Sequence, residues 1–289
     1  PQSSQEEESS KEIVVQLSGK QEIAWNILND PFVSELTYGG AAGGGKTLLV
    51  ALWMVVQCIN YPGIRIGLGR EELIRLKQTT LRTIITDAHK LLGVGKGDYN
   101  YNGSTNTLAY SNGSEIQLQA MSYSPMDPNY DTLGSLDYTH VVIEEGGEVK
   151  KKAKSVFSSR KNRYKNEEYG ITGKTITTCN PSKNFLYEES YTPYKEAGGG
   201  DFQKWISGQI FFGNEWHTGY RAYVKALPTD NPFISLNYIE ELKKLPTQER
   251  KRLLEGDWEF DKNNDGMFDD TVMRQGILHG VIPNPGEEP

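Results

Sequence analysis

The eight residues Gly40-Ala41-Ala42-Gly43-Gly44-Gly45-Lys46-Thr47 fit G-x-x-x-x-G-K-[ST] at every fixed position. Glycine lets the backbone take positive φ and turn its N–H groups onto a phosphate. A helix beginning at Thr47 would aim the positive end of its dipole at the same anion. In that arrangement Lys46 reaches the β- and γ-phosphates and the Thr47 hydroxyl ligates Mg²⁺. Gly40, Ala41, Ala42, Gly43, Gly44, Gly45, Lys46 and Thr47 are therefore the expected nucleotide contacts, and the apolar run Leu48–Ile59 behind them is core.

A second constellation is Val141-Val142-Ile143-Glu144-Glu145. Apolar residues followed by two acids describe a strand that leaves the core and presents carboxylates at its carboxyl end, where open α/β sheets bind ligands. Glu144 is expected to hold Mg²⁺, directly or through water. Glu145 is expected to orient and polarise the attacking water, a task a hydrolase has and a kinase lacks. Where such strands usually carry Asp on the metal side, this chain has Glu144, whose longer arm loosens the metal geometry.

Thr177-Thr178-Cys179-Asn180-Pro181 ends another apolar strand in small polar groups. Thr178 and Asn180 are expected beside the γ-phosphate, Asn180 reporting its loss. Gln21, about twenty residues before the glycine run, is suited to read adenine, since one amide can pair with N6 and N7 together. Lys150, Lys151, Lys152, Lys154, Arg160, Lys161, Arg163 and Lys165 place eight cations in sixteen residues. On a helix over 148–165 they would contact a phosphate backbone or the nucleotide of a neighbouring subunit. Asp261–Gly266 imitates the start of a calcium loop, but position twelve is Val272 instead of Glu, which excludes that reading. The four histidines are scattered and suggest no metal site.

Strands at Glu35–Tyr38, Ile64–Leu68, Tyr138–Glu144 and Thr175–Thr178 must position these groups, with helices at Lys20–Leu28, Thr47–Asn60 and Glu71–Leu92 between them. Asn112-Gly113 predicts a hairpin over Thr107–Ala120 with a type I′ turn. Leu236–Gly256 reads as one or two helices, and 190–233 as mixed and rich in Gly and aromatics. Alternating strands and helices predict an α/β fold with a mostly parallel sheet flanked by helices. The 289 residues suit one large domain or a domain with an appendage. A net charge of −7 argues against a protein coated in nucleic acid and leaves room for one basic patch. The longest apolar run is too short to span a membrane. Two cysteines in apolar surroundings, Cys58 and Cys179, fit a reduced compartment.

Taken together these segments resemble the ATPase part of the large terminase subunit of tailed bacteriophages. The resemblance runs through Leu17–Gln21, Gly40–Thr47, Ile66–Glu71, Ser111–Met121, Val141–Glu148, "TTCNP" and above all Asp230–Phe260, "DNPFISLNYIEELKKLPTQERKRLLEGDWEF". It implies a P-loop NTPase of the ASCE or RecA-like type with a small helical lid. It implies an ATP- and Mg²⁺-dependent motor that drives double-stranded DNA through a portal into an empty procapsid. The partners it implies are double-stranded DNA, the portal protein and procapsid, a small terminase subunit and further copies in a ring, a pentamer, with no membrane, in the host cell cytoplasm. The expected organisation is a disordered tail (1–16), ATPase core (17–229), lid (230–260) and polar linker (261–289). Nuclease activity is not expected, because Asp269 and Asp270 alone make no two-metal site. Arginines that many terminases carry in the P-loop and before the acidic pair have no counterpart here. An arginine finger must come from elsewhere, with Arg160 ranked ahead of Arg163, Arg70 and Arg82. The alternatives are a helicase-like DNA-dependent ATPase and a nucleotide-binding assembly factor with little hydrolysis.

Overall fold

The structure, a computed structural model, describes residues 14–260. The expected linker, most of the tail, the calcium-like loop and Asp269-Asp270 lie outside the described residues.

Nine strands form one sheet: β1 (Val33–Gly40), β2 (Arg65–Arg70), β3 (Tyr99–Asn102), β4 (Thr107–Tyr110), β5 (Glu115–Ala120), β6 (His140–Ile143), β7 (Thr175–Thr178), β8 (Phe202–Phe212) and β9 (Glu215–Ala226). Their order is β3-β4-β5-β2-β6-β7-β1-β9-β8. The run from β5 to β9 is parallel throughout, and antiparallel pairs close both edges. Ile66, Leu68, Val141, Val142, Ile143 and Ile176 are fully buried, as strands covered on both faces require. One strand, β7, separates β1 from β6. Because these strands run in parallel, the carboxyl ends of β1, β2, β6 and β7 fall on the same edge. Each leads into one of the motifs read from the sequence.

Helix α1 (Gly19–Asn29) opens on a capping box in which Ser18 and Gln21 satisfy each other's backbone amides. Helix α2 (Lys46–Asn60) follows the glycine run, buries Leu49, Val50, Trp53 and Met54, and stops at Tyr61. Among the described residues no helix is long and apolar enough to cross a membrane.

Four expectations change. The helix expected over Glu71–Leu92 is helical over 73–91 but takes two π-type turns, Lys77–Leu81 and Ile84–Ala88. Here Thr79 and Thr86 donate their hydroxyls to the carbonyls of Arg75 and Arg82, which competes with the backbone ladder. The hairpin over β4 and β5 forms, but only Gly113 of its turn has positive φ. Tyr110 and Ser114 bracket a three-residue loop with glycine in the left-handed position instead of a type I′ turn. Residues 190–233 contain a long hairpin, β8–β9, joined by Gly213-Asn214, both at positive φ. The basic helix is only Lys151–Ser158.

Candidate functional site

Gly45, the N-cap of α2, has φ +74, and a Cβ there would lie 2.7 Å from the Gln21 amide nitrogen. Gly43, at φ +81, has Ile234 and Tyr238 directly over it. The glycine run thus serves two ends. It turns the loop, and it lets α1 on one side and the segment after β9 on the other close against its backbone. Ala41 N–H donates to the Ala226 carbonyl and Ala42 N–H to Leu253. Among the described residues no hydrogen bond engages the amides of Gly43, Gly44 or Gly45. They are the donors an anion would find.

Lys46 is buried and donates to the Ala41 carbonyl (2.5 Å) and to Asn180 Oδ1 (3.2 Å). Burial lowers its pKa, against the pull of Glu145, Cys179 and Glu144. The Asn180 amide nitrogen donates to Glu145 Oε2 (3.4 Å). One amide therefore bridges the lysine of the first motif and the second acid of the next. Thr178 donates its hydroxyl to Glu144 Oε2 (2.9 Å) and accepts from the Glu145 backbone amide (3.1 Å). Thr47 donates to the same Glu144 oxygen at 3.4 Å. Glu145 itself sits at φ +49, a left-handed conformation that a non-glycine residue adopts at a cost of about 1–3 kcal/mol. The Thr178 hydroxyl holds it there. Lys46, Thr47, Glu144, Glu145, Thr178 and Asn180, three motifs far apart in sequence, form one connected group.

Glu144 is 2 % exposed and its Oε1 has no partner. Burial and the neighbouring Glu145 push its carboxyl up to about 7, with Thr178, Arg70 and Lys46 pulling the other way. A buried carboxylate short of donors, beside a threonine hydroxyl, is a donor set that suits a hard cation. Among the described residues there is no cluster of three or more acidic, His or Cys side chains able to hold a metal.

Gln21 requires a correction. It is 4 % exposed. Its Oε1 accepts from the Ser18 amide and its Nε2 donates to the Gly45 carbonyl (3.0 Å). Each end of the amide bonds backbone and Gln21 does not line the cleft beside the loop, so in this structure it braces the loop from behind instead of facing a base.

The basic run is corrected as well. Lys150, Lys151 and Lys152 are exposed at the start of the helix. Lys154 points inward and pairs with Glu35 and Glu189, each at 3.2 Å. Lys161 is turned inward too, toward Ser34, Thr175 and Glu35. Burial opposes the charge of Glu35, and Lys161, Lys154 and Arg221 more than offset it, so its pKa falls below the usual carboxylate range. Arg160 lies at the amino end of β6, where its carbonyl accepts from Tyr138 and its guanidinium donates to Gly134 and Ser159. It is thus at the opposite edge of the sheet from the P-loop. Arg163 is beside it, paired with Asp137.

The arginine brought to the acids is Arg70, at the carboxyl end of β2. It makes two 3.0 Å bonds to Glu148. Burial works against its charge, which Glu148, Glu145 and Glu144 sustain.

Sequence reasoning missed Asn231, Phe233 and Ile234, which line a cleft of about 390 Å³ with residues 42–48, Glu145 and Asn180. Asn231 donates to the Gly43 carbonyl (2.8 Å), Arg252 to Pro181 (2.7 Å), and Trp258 to Tyr223. The helices Leu236–Lys243 and Thr247–Leu253 are thereby anchored beside the P-loop. The signal was in "DNPF", since Asn and Pro mark the turn that carries Phe233 back to the loop.

No protein-family model and no curated protein sequence matches the chain. Among solved structures, the large terminase from the thermophilic bacteriophage D6E in complex with ADP superposes with a TM-score of 0.60 at 12% identity, over 84% of this chain and 54% of that one. The same terminase in another crystal form gives 0.59 at 13%. The ATPase domain of the Thermus phage P74-26 large terminase gives 0.54 at 13% identity, over 85% of this chain and 95% of that domain. The chain spans about half the length of the D6E terminase. At such identities the likeness is one of fold: this α/β chain, with its mostly parallel sheet, has the fold of phage large-terminase ATPase domains.

Proposed function

We propose that this chain hydrolyses ATP as the motor of viral genome packaging, moving double-stranded DNA through a portal into an empty procapsid. The observation that carries the reading is the Asn180 amide joining Lys46 to Glu145 at the mouth of the glycine loop. The D6E terminase has been solved with ADP and with ATP-gamma-S. A nucleotide in this chain's cleft would meet the amides of Gly43–Gly45 and the amino end of α2.

Lys46 neutralises the β- and γ-phosphates. Thr47 and Glu144 hold Mg²⁺, which when bound neutralises charge on the phosphates. Glu145, fixed by Thr178 at an unusual φ, accepts a proton from the attacking water. Asn180 touches both Lys46 and Glu145, so loss of the γ-phosphate changes its partners and is felt along β7. Arg70 stands on the same edge, held in reserve by Glu148. A finger from a neighbouring copy completes the site in a ring, and Arg160, at the far edge of its own subunit, would have to release Gly134 to serve.

Lys150, Lys151 and Lys152 sit at the positive end of their helix, an unfavourable place for cations. A bound anion relieves that repulsion, and DNA phosphate contacts without base contacts suit a motor that must not read sequence. The portal and procapsid, a small terminase subunit and a pentameric ring in the host cell cytoplasm belong to the same reading.

The test is the steady-state ATPase rate of the chain alone and with portal-bearing procapsids plus linear double-stranded DNA. A low rate that rises sharply in the full mixture is expected. A substantial rate indifferent to procapsids and DNA would overturn the packaging role.

A further inference from the structure

The cleft divides chemically as a nucleotide does. Lys46, Glu145, Asn180 and the glycine amides are polar, while Leu48, Phe233 and Ile234 are apolar. Phe233 is 62 % exposed and its ring meets no other aromatic ring among the described residues. A large bare ring at the mouth of a phosphate-type cleft suits the flat face of a base, since base–aromatic stacking holds any base without reading its edge.

The groups that ordinarily read the edge are engaged elsewhere. Both ends of the Gln21 amide are bonded to backbone. The Asn231 amide is occupied in the same way, with Nδ2 donating to Gly43 and Oδ1 accepting from Phe233 N–H. These bonds brace the P-loop from two sides. Turning either amide toward a base would release a part-buried carbonyl of the loop that binds phosphate.

We infer that the base stacks on Phe233 against Ile234 and that no side chain reads its edge, so that the cleft takes purine nucleoside triphosphates as a class, GTP as well as ATP. This rests on the reading of the cleft as a nucleotide site. Selectivity comes from the triphosphate and from stacking area, which favours purines over pyrimidines. Gln21 and Asn231 are positioning residues for the loop, and their loss weakens ATP and GTP equally.

The experiment is titration calorimetry of the chain, with Mg²⁺, against ATP, GTP and inorganic tripolyphosphate, repeated with Phe233→Ala, Phe233→Tyr and Gln21→Ala. ATP and GTP are expected to bind within a few-fold of each other. Phe233→Ala is expected to weaken both on the order of tenfold, the size of one stacking contact, and to leave tripolyphosphate unchanged. Phe233→Tyr is expected to restore both. Gln21→Ala is expected to leave the ATP-to-GTP ratio unchanged. ATP bound on the order of tenfold or more above GTP, the scale of one bidentate base contact, overturns the inference and leaves the nucleotide reading standing. So does a Phe233→Ala variant that weakens tripolyphosphate as much as ATP. Failure of all three ligands to bind overturns both.

Discussion

A single hydroxyl shapes the geometry of the two acids. Thr178 donates to Glu144 and accepts from the backbone of Glu145, so it fixes the acid placed for the cation and the acid placed for the water at once. Thr178→Val keeps the shape and removes both bonds. Its ATP affinity should stay near that of the wild type while kcat falls on the order of 100-fold, the scale of a catalytic group displaced by about 1 Å. Thr178→Ser should recover most of the rate. Steady-state kinetics beside equilibrium ATP binding separate the two quantities, and a parallel loss of binding would make Thr178 a folding residue only. The role of Thr178 was legible in part. Its place at the end of a strand could be read from "TTCNP", but its grip on both acids needs the register that sets Thr177 opposite Ile143.

At the scale of elements, the helix Lys151–Ser158 does two jobs that the sequence ran together. Its inner face, Ala153, Lys154 and Phe157, packs on the sheet, and Lys154 neutralises Glu35 and Glu189. Lys154→Ala leaves Glu35 with Lys161 and Arg221 and Glu189 with Lys151, and should lower stability by about 1–3 kcal/mol, seen as a fall in Tm. The combined Lys150→Ala, Lys151→Ala, Lys152→Ala variant should change stability by no more than about 1 kcal/mol and should instead flatten the salt dependence of DNA-stimulated hydrolysis. A charge count cannot make this distinction, because which lysine faces inward depends on where the helix starts. Hairpin β8–β9 was hidden for a related reason. Gly208 interrupts the alternation with a shift in register, and the outward residues Phe202 and Ile206 are apolar, so no alternating pattern survives. Gly213-Asn214 was the readable signal. The central strands were legible because burial on both faces leaves them uniformly apolar.

Two buried histidines carry a pH dependence. His140, at the start of β6, is buried against Trp53, and burial, then Lys174 and Lys161, lower its pKa to about 3. His89 is lowered by burial to about 4, with Asp98 opposing. For a base whose folded pKa lies below its unfolded value, the stabilisation is complete above the unfolded pKa, near 6.5, and is lost as pH falls below it. Tm should therefore decline from pH 6.5 toward pH 4, and His140→Gln should shallow that slope. An unchanged slope would show that His140 titrates in the fold as it does in the unfolded chain.

In the molecule as a whole, parallel strands deliver the glycine loop, the two acids, Thr178 with Asn180, and Arg70 to one edge, and the segment after β9 folds back to close over them. That convergence could be foreseen from the order of the motifs. The covering contacts could not, since Asn231, Phe233 and Ile234 lie almost two hundred residues from Gly43 and meet it only because β9 pairs with β1, setting Ala226 beside Gly40. The central claim is that this edge is a hydrolytic site in which Lys46 serves binding and Glu145 serves turnover. The most direct measurement is ATP binding and single-turnover hydrolysis for wild type, Lys46→Ala and Glu145→Gln. Glu145→Gln should bind ATP as the wild type does and turn it over on the order of 100-fold more slowly, as loss of a general base implies, while Lys46→Ala should fail to bind. Hydrolysis by Glu145→Gln at the wild-type rate would contradict the account.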